Sequence, residues 1–149
     1  MTSSITNRKC LSISIIDSLQ DCRLKGKLYK WSLSSRFIIF QNWKFRYFKL
    51  YQSDEYALYD AACTDLRFKI LIYYKDECEF DKKGIVIIFD EDANAIPVKR
   101  YGIPGYKCFF NSYKLQQDGQ IPSTSTKLYL YSNSLDELAE WIKQISSNS

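Results

Sequence analysis

The chain of 149 residues contains no histidine. This removes the side chain that exchanges protons near neutrality and every metal site that needs an imidazole. The cysteines, Cys10, Cys22, Cys63, Cys78 and Cys108, are odd in number and nowhere fall as Cys-x-x-Cys. A zinc cluster is therefore not expected, and scattered thiols suit a reducing cytosol better than a disulfide framework. There is no P-loop, no Gly-x-Ser-x-Gly elbow and no paired-carboxylate motif. Asp90-Glu91-Asp92 reads as a solvated turn. Neither an enzyme nor a bound cofactor is expected.

Long apolar runs are missing too. The segment LSISIIDSLQ is too short to span a bilayer, is broken by Asp17, and lacks the shape of a cleavable signal peptide. Position 2 is not glycine and the last four residues are not a CaaX box, so the two standard lipidation signals are not expected. These features predict a soluble, monomeric, intracellular domain.

The most informative absence is local. From Arg23 to Leu50 there is no acidic residue, while the same stretch holds eight Lys or Arg. Acids gather instead at 76–81, 90–92 and 136–140. The net charge of +4 is modest, so its distribution carries the information: one end of the molecule is basic. That charge and the lack of a recognisable motif argue against nucleic acid as a partner.

What is present describes a folded domain, with 46% hydrophobic and 16% aromatic residues. Residues 1–23 form an extension, expected to be helical because Leu11, Ile15, Leu19 and Cys22 share one side of a helix. Alternation of Leu11, Ile13 and Ile15 with serine would suit a strand equally. From Leu24 the pattern predicts strands near 26–33, 43–52, 67–75, 84–90, 95–101, 107–115 and 126–132, rich in aromatic and β-branched residues. Turns are expected at Lys83-Gly84, Pro97, Gly102–Gly105 and Asp118-Gly119. Ser134-Leu135-Asp136-Glu137 is a capping box, followed by Leu135, Leu138, Ile142 and Ile145 at helical spacing. The expected fold is mainly β: a seven-stranded bent antiparallel barrel or orthogonal sandwich, closed at one end by a C-terminal helix.

These pieces, in this order, resemble a pleckstrin homology (PH) domain over residues 24–147. Lys25-Gly26-Lys27-Leu28-Tyr29-Lys30-Trp31 is similar to that family's first strand, and Trp43-Lys44-Phe45-Arg46-Tyr47-Phe48-Lys49-Leu50 to its second. Ile70–Asp76 and Lys83–Ile87 resemble the third and fourth, and Trp141-Ile142 the closing helix. The domain is accordingly assigned to 24–149. Among its members, the phosphoinositide-binding type exemplified by cytohesin is the nearest in pattern. The resemblance implies a headgroup site formed by Lys30, Arg36, Lys44, Arg46, Tyr74, Lys83 and Lys114. It also implies anionic membrane lipids, phosphoinositide or phosphatidic acid, as partners at the cytosolic face of membranes. Three departures are a longer, more hydrophobic first loop, a long segment 53–66 between the second and third strands, and Ser125-Thr126 where the cytohesin pattern has Asn-His.

The chemistry fits. Lys44 and Arg46, two apart on a strand, point to the same face and can converge on one polyphosphate. Arginine offers a planar fork and lysine a flexible point charge. Phe37, Ile38, Ile39 and Phe40 would then cap the loop and insert in the bilayer, each worth roughly 1.5–3 kcal/mol if buried. Plainer readings stand beside these. Phe37–Phe40 reads equally as a buried strand extension, and Lys44, Arg46 and Lys49 as a solvated edge. Tyr73 and Tyr74 read as packed aromatics, of which alternation puts only one inside. A protein-binding module of the same fold, without specific lipid affinity, is the competing function.

Overall fold

The computed structural model describes residues 22–31, 43–52, 68–89, 95–100 and 102–146. Among these, seven strands precede one helix: β1 (Leu24–Trp31), β2 (Trp43–Gln52), β3 (Phe68–Tyr74), β4 (Lys82–Phe89), β5 (Ile96–Arg100), β6 (Ile103–Lys114), β7 (Thr126–Ser132) and α1 (Leu135–Ser146). The strands pair antiparallel in the order β4-β3-β2-β1-β7-β6-β5. The twelve-residue β6 closes the ring. It pairs with β5 through Ile103–Lys107 and with β4 at Tyr113 and Lys114. Six strands thus form a closed barrel, and β5 extends it as an extra strand.

Alternation along the strands separates an inner face from an outer one. Leu28, Phe48, Leu71, Val86, Phe110 and Leu130 point inward and meet Leu138, Trp141 and Ile145 of α1. The helix therefore plugs one end of the barrel. Ser134 caps it, accepting from the Glu137 backbone N–H at 3.2 Å, as the sequence pattern requires. The Glu137 carboxylate accepts from Ser132 Oγ at 3.3 Å, so the box reaches back into β7. At the other end of the helix the buried Lys69 donates to the carbonyl of Ile145, where the helix dipole is negative.

All seven residues of β3 are buried, on both faces. Ile70, Ile72 and Tyr74 belong to a second cluster on the outside of β2–β4, with Tyr47, Tyr51 and Ile121. This two-sided burial explains why FKILIYY reads as a continuous apolar run without alternation.

Several boundaries differ from the sequence reading. β1 starts two residues earlier, at Leu24. The reversal between β3 and β4 occupies 75–81, not Lys83-Gly84, which lie inside β4. Gly84 is there for another reason: the Tyr73 ring lies so close that a Cβ would collide with it. The expected turn at Gly102–Gly105 shrinks to two residues, because Arg100 already pairs with Ile103. Gly105 sits in β6 under the Tyr131 ring, again where no side chain fits. The Asp118-Gly119 turn is as expected, with Gly119 at φ 84° and Asp118 accepting from the Gln120 N–H. Trp43 is half-buried and packs on the ring of Tyr131.

Candidate functional site

The barrel end opposite α1 is where β1 ends, β2 begins, β3 turns into β4 and β6 runs out. Lys30 is one turn of alternation beyond the core residue Leu28, so its stem follows the inner face to this mouth. Its register partner across β1–β2 is Lys44, and that of Leu28 is Arg46. Direct partners in an antiparallel pair share a face. Lys30, Lys44 and Arg46 therefore all project to the inner side, above Phe48.

Lys114, at the end of β6, completes the group. Burial pushes the Lys30 ammonium down to about 8, and the charges of Lys114, Arg46 and Lys44 push it the same way. Its Nζ stands 5.0 Å over the centre of the Tyr73 ring. Tyr73 is itself buried, which raises its hydroxyl pKa, while the charge of Arg46 opposes that rise. The mouth is thus a cationic rim on an aromatic floor. Among the described residues no carboxylate pairs with Lys30, Lys44, Arg46 or Lys114.

Three other lysines are treated differently. The acidic β3–β4 turn folds against the outer side and supplies a partner to each of three. Glu77 pairs with Lys27 at 2.5 Å, Glu79 with Lys49 at 3.1 Å and Asp81 with Lys83 at 3.0 Å. Two positions of the sequence-derived set lie apart from this group. Lys83 is engaged by Asp81 and is not among the charges acting on Lys30. Tyr74 lies on the opposite face of β3 from the mouth, against Tyr47 at 6.4 Å between ring centres. Alternation along β3 decides this: Leu71 and Tyr73 face inward, so Tyr74 cannot. Arg36, Phe37, Ile38, Ile39 and Phe40 lie outside the described residues.

Two side chains were missed by reasoning from sequence. Tyr73 is the tyrosine at the mouth, and its signal was Gly84, the residue small enough to lie under a ring. Phe80, in the β3–β4 turn, is 94% exposed, an unusual position for so large an apolar group. Nothing in its acidic surroundings, Asp-Glu-Cys-Glu-Phe-Asp, marks it out in the sequence.

No protein-family model matches the chain, and no curated protein matches it significantly. No group of three or more Cys, Asp or Glu among the described residues could hold a metal ion. No described helix is long and apolar enough to cross a membrane.

Proposed function

We propose that the chain is a PH-like membrane-recognition module that binds the phosphorylated headgroup of a phosphoinositide or phosphatidic acid at the cationic mouth. One observation carries this reading: Lys30, Lys44, Arg46 and Lys114 converge with no carboxylate partner among the described residues, while Lys27, Lys49 and Lys83 each have one. Like charges set directly opposite on a sheet are destabilising, and a half-buried ammonium loses hydration. An arrangement that costs stability in the free protein is accounted for by an anion that relieves it. A phosphate does so through charge-assisted hydrogen bonds, with Arg46 able to take two oxygens at once and the lysines one each. Each additional Lys or Arg near an anionic bilayer adds about 1 kcal/mol.

In this reading the apolar segment Phe37–Phe40, which connects β1 to β2, enters the bilayer beside the bound headgroup. Two weak contacts, electrostatic and hydrophobic, then act together at the cytosolic face of a membrane. The test is a nuclear magnetic resonance titration with short-chain, water-soluble phosphoinositide and phosphatidic acid. Amide shifts confined to 28–31, 43–46, 73–74 and 113–115 support the reading. Saturation without shifts at these positions, or no shift at all, refutes it.

A further inference from the structure

Two lysines of β1 meet opposite surroundings. Lys27 lies on the outer side, where a hydrogen bond and the charge of Glu77 hold its ammonium above the ordinary value. Lys30 lies on the inner side, and the described elements around it offer it either a like charge or none. β2 supplies Lys44 and Arg46, and β6 supplies Lys114. β3 supplies the Tyr73 ring, 5.0 Å from the ammonium, whose hydroxyl is kept protonated by burial. β7 supplies the buried Leu130, the register partner of Lys30. Among the described residues no carboxylate pairs with it.

A nitrogen so placed gives up its proton readily. Burial strips the water that stabilises an ammonium and three like charges repel it, so Lys30 falls to about 8 from an ordinary 10.5. At pH 7 about one such amine in ten is neutral, roughly three hundred times the fraction of an ordinary lysine. The neutral amine is the nucleophile, and desolvation beside another cation is how proteins make a lysine reactive. Lower basicity makes the amine a weaker nucleophile and takes back part of this gain, leaving an advantage on the order of tenfold.

We propose that Lys30 is a covalent modification site, acylated by a small acyl phosphate whose phosphate the neighbouring cations hold. Arg46 offers the phosphate a planar fork, and Lys44 and Lys114 offer point charges. In an acyl phosphate the carbonyl carbon is one bridging oxygen from phosphorus, so a donor held by these three presents that carbon to the amine among them. The Lys30 lone pair attacks the acyl carbon, the bond from that carbon to the bridging oxygen breaks, and inorganic phosphate leaves with the electron pair. The amine releases one proton to solvent and an amide remains. The cations that hold the donor also favour the departing phosphate. The bound phosphate offsets some of the repulsion that frees the amine, but burial, the larger cause, stays. A neutral donor gains nothing from the cations, and a cationic one is repelled.

The amide is uncharged, so acylation removes one of the four cations of the mouth. On the reading of the mouth as a headgroup site, on which this consequence rests, the modification is an off-switch for membrane binding.

The experiment treats the full chain with acetyl phosphate and, separately, with the neutral donor acetic anhydride, and follows each lysine by quantitative peptide mass mapping. At pH 7 Lys30 is expected to react on the order of tenfold faster than Lys27 or the exposed Lys82 with either reagent. With the anhydride this ratio should fall as the pH rises from 7 to 10. With acetyl phosphate, reaction at Lys30 should saturate and be slowed by inorganic phosphate, while reaction at Lys27 rises in proportion to the reagent. Lys114→Gln, at an exposed position, should lower the ratio several-fold. The proposal is overturned if Lys30 reacts no faster than the other lysines, or if its reaction with acetyl phosphate neither saturates nor responds to inorganic phosphate. The chain acetylated at Lys30 should then bind anionic vesicles several-fold more weakly than the native chain, and equal binding overturns the switch. Selective acetylation of a chain that in its native form binds no anionic vesicle supports the modification site and refutes the lipid reading alone, so the two failures are separable.

Discussion

Lys30 and Lys44 are direct register partners across β1 and β2, on the same face of the barrel, and neither meets a carboxylate among the described residues. An ordinary surface would separate or neutralise such a pair. The same molecule does so for Lys27, Lys49 and Lys83, using the acids of a single turn.

If the mouth is held at a cost, removing one of its charges should stabilise the fold. Lys30→Met keeps the apolar stem and deletes the half-buried ammonium. The expected result is a melting temperature raised by about 2–4 °C, equivalent to roughly 1 kcal/mol for a chain of this size. Vesicle binding should fall in the same variant. Differential scanning calorimetry at neutral pH checks the first, and a variant less stable than the native chain would contradict it.

The depressed Lys30 also predicts a dependence on pH. In the unfolded chain Lys30 titrates near its ordinary value of 10.5, in the folded one near about 8. Between these values the unfolded state binds more protons, so this group's contribution to stability rises with pH from about 8 to 10.5. The advantage of Lys30→Met should therefore shrink over that range. Ligand affinity moves the other way: above about pH 8 Lys30 loses the charge a phosphate needs. Vesicle binding should weaken from pH 7 to pH 9 in the native chain, and Lys30→Arg should bind with little change over that interval.

Cys108 lies in the core, where burial pushes its thiol up to about 12, whereas Cys78 is exposed in the β3–β4 turn. Thiolate is the reactive form. Iodoacetamide should label Cys78 in the native protein and reach Cys108 only on unfolding, as read by peptide mass mapping. Fast labelling of Cys108 in the folded chain would contradict the packing described.

Lys69 ties the barrel to the end of α1 through the Ile145 carbonyl. Lys69→Met retains most of the buried stem and removes the donor, and is expected to cost about 1 kcal/mol, the usual size of such a bond. Urea unfolding followed by tryptophan fluorescence measures it through Trp141.

Much of this architecture could be read from residues alone, for identifiable reasons. β2 announces itself by aromatic residues alternating with basic ones, β7 by its aromatic content, and α1 by one buried and one exposed face, so period and turn chemistry agree. Lys44 and Arg46 were legible as a pair from the same alternation. β3 was not so transparent: with both faces buried, nothing in FKILIYY says whether Tyr73 or Tyr74 points inward. A register shift beside it, where Tyr73 faces Gly84 and Tyr74 faces Lys82, hides the answer further. The pairing of Lys83 with Asp81 could not be read either, because Asp81 belongs to a turn whose path only the folded chain defines.

If the mouth cations, and not basic charge in general, hold an anionic membrane, charge removed at the mouth must cost more binding than charge removed elsewhere. Sedimentation with vesicles at physiological salt tests it most directly, comparing neutral vesicles with vesicles carrying a phosphoinositide or phosphatidic acid. Lys44→Ala with Arg46→Ala should lose about thirtyfold in binding to the anionic vesicles, from two cations at about 1 kcal/mol each. Lys27→Ala with Lys83→Ala removes the same charge from the paired positions and should bind nearly as the native chain does. Equal losses in the two double variants, or no binding of the native chain to any anionic vesicle, would contradict the account.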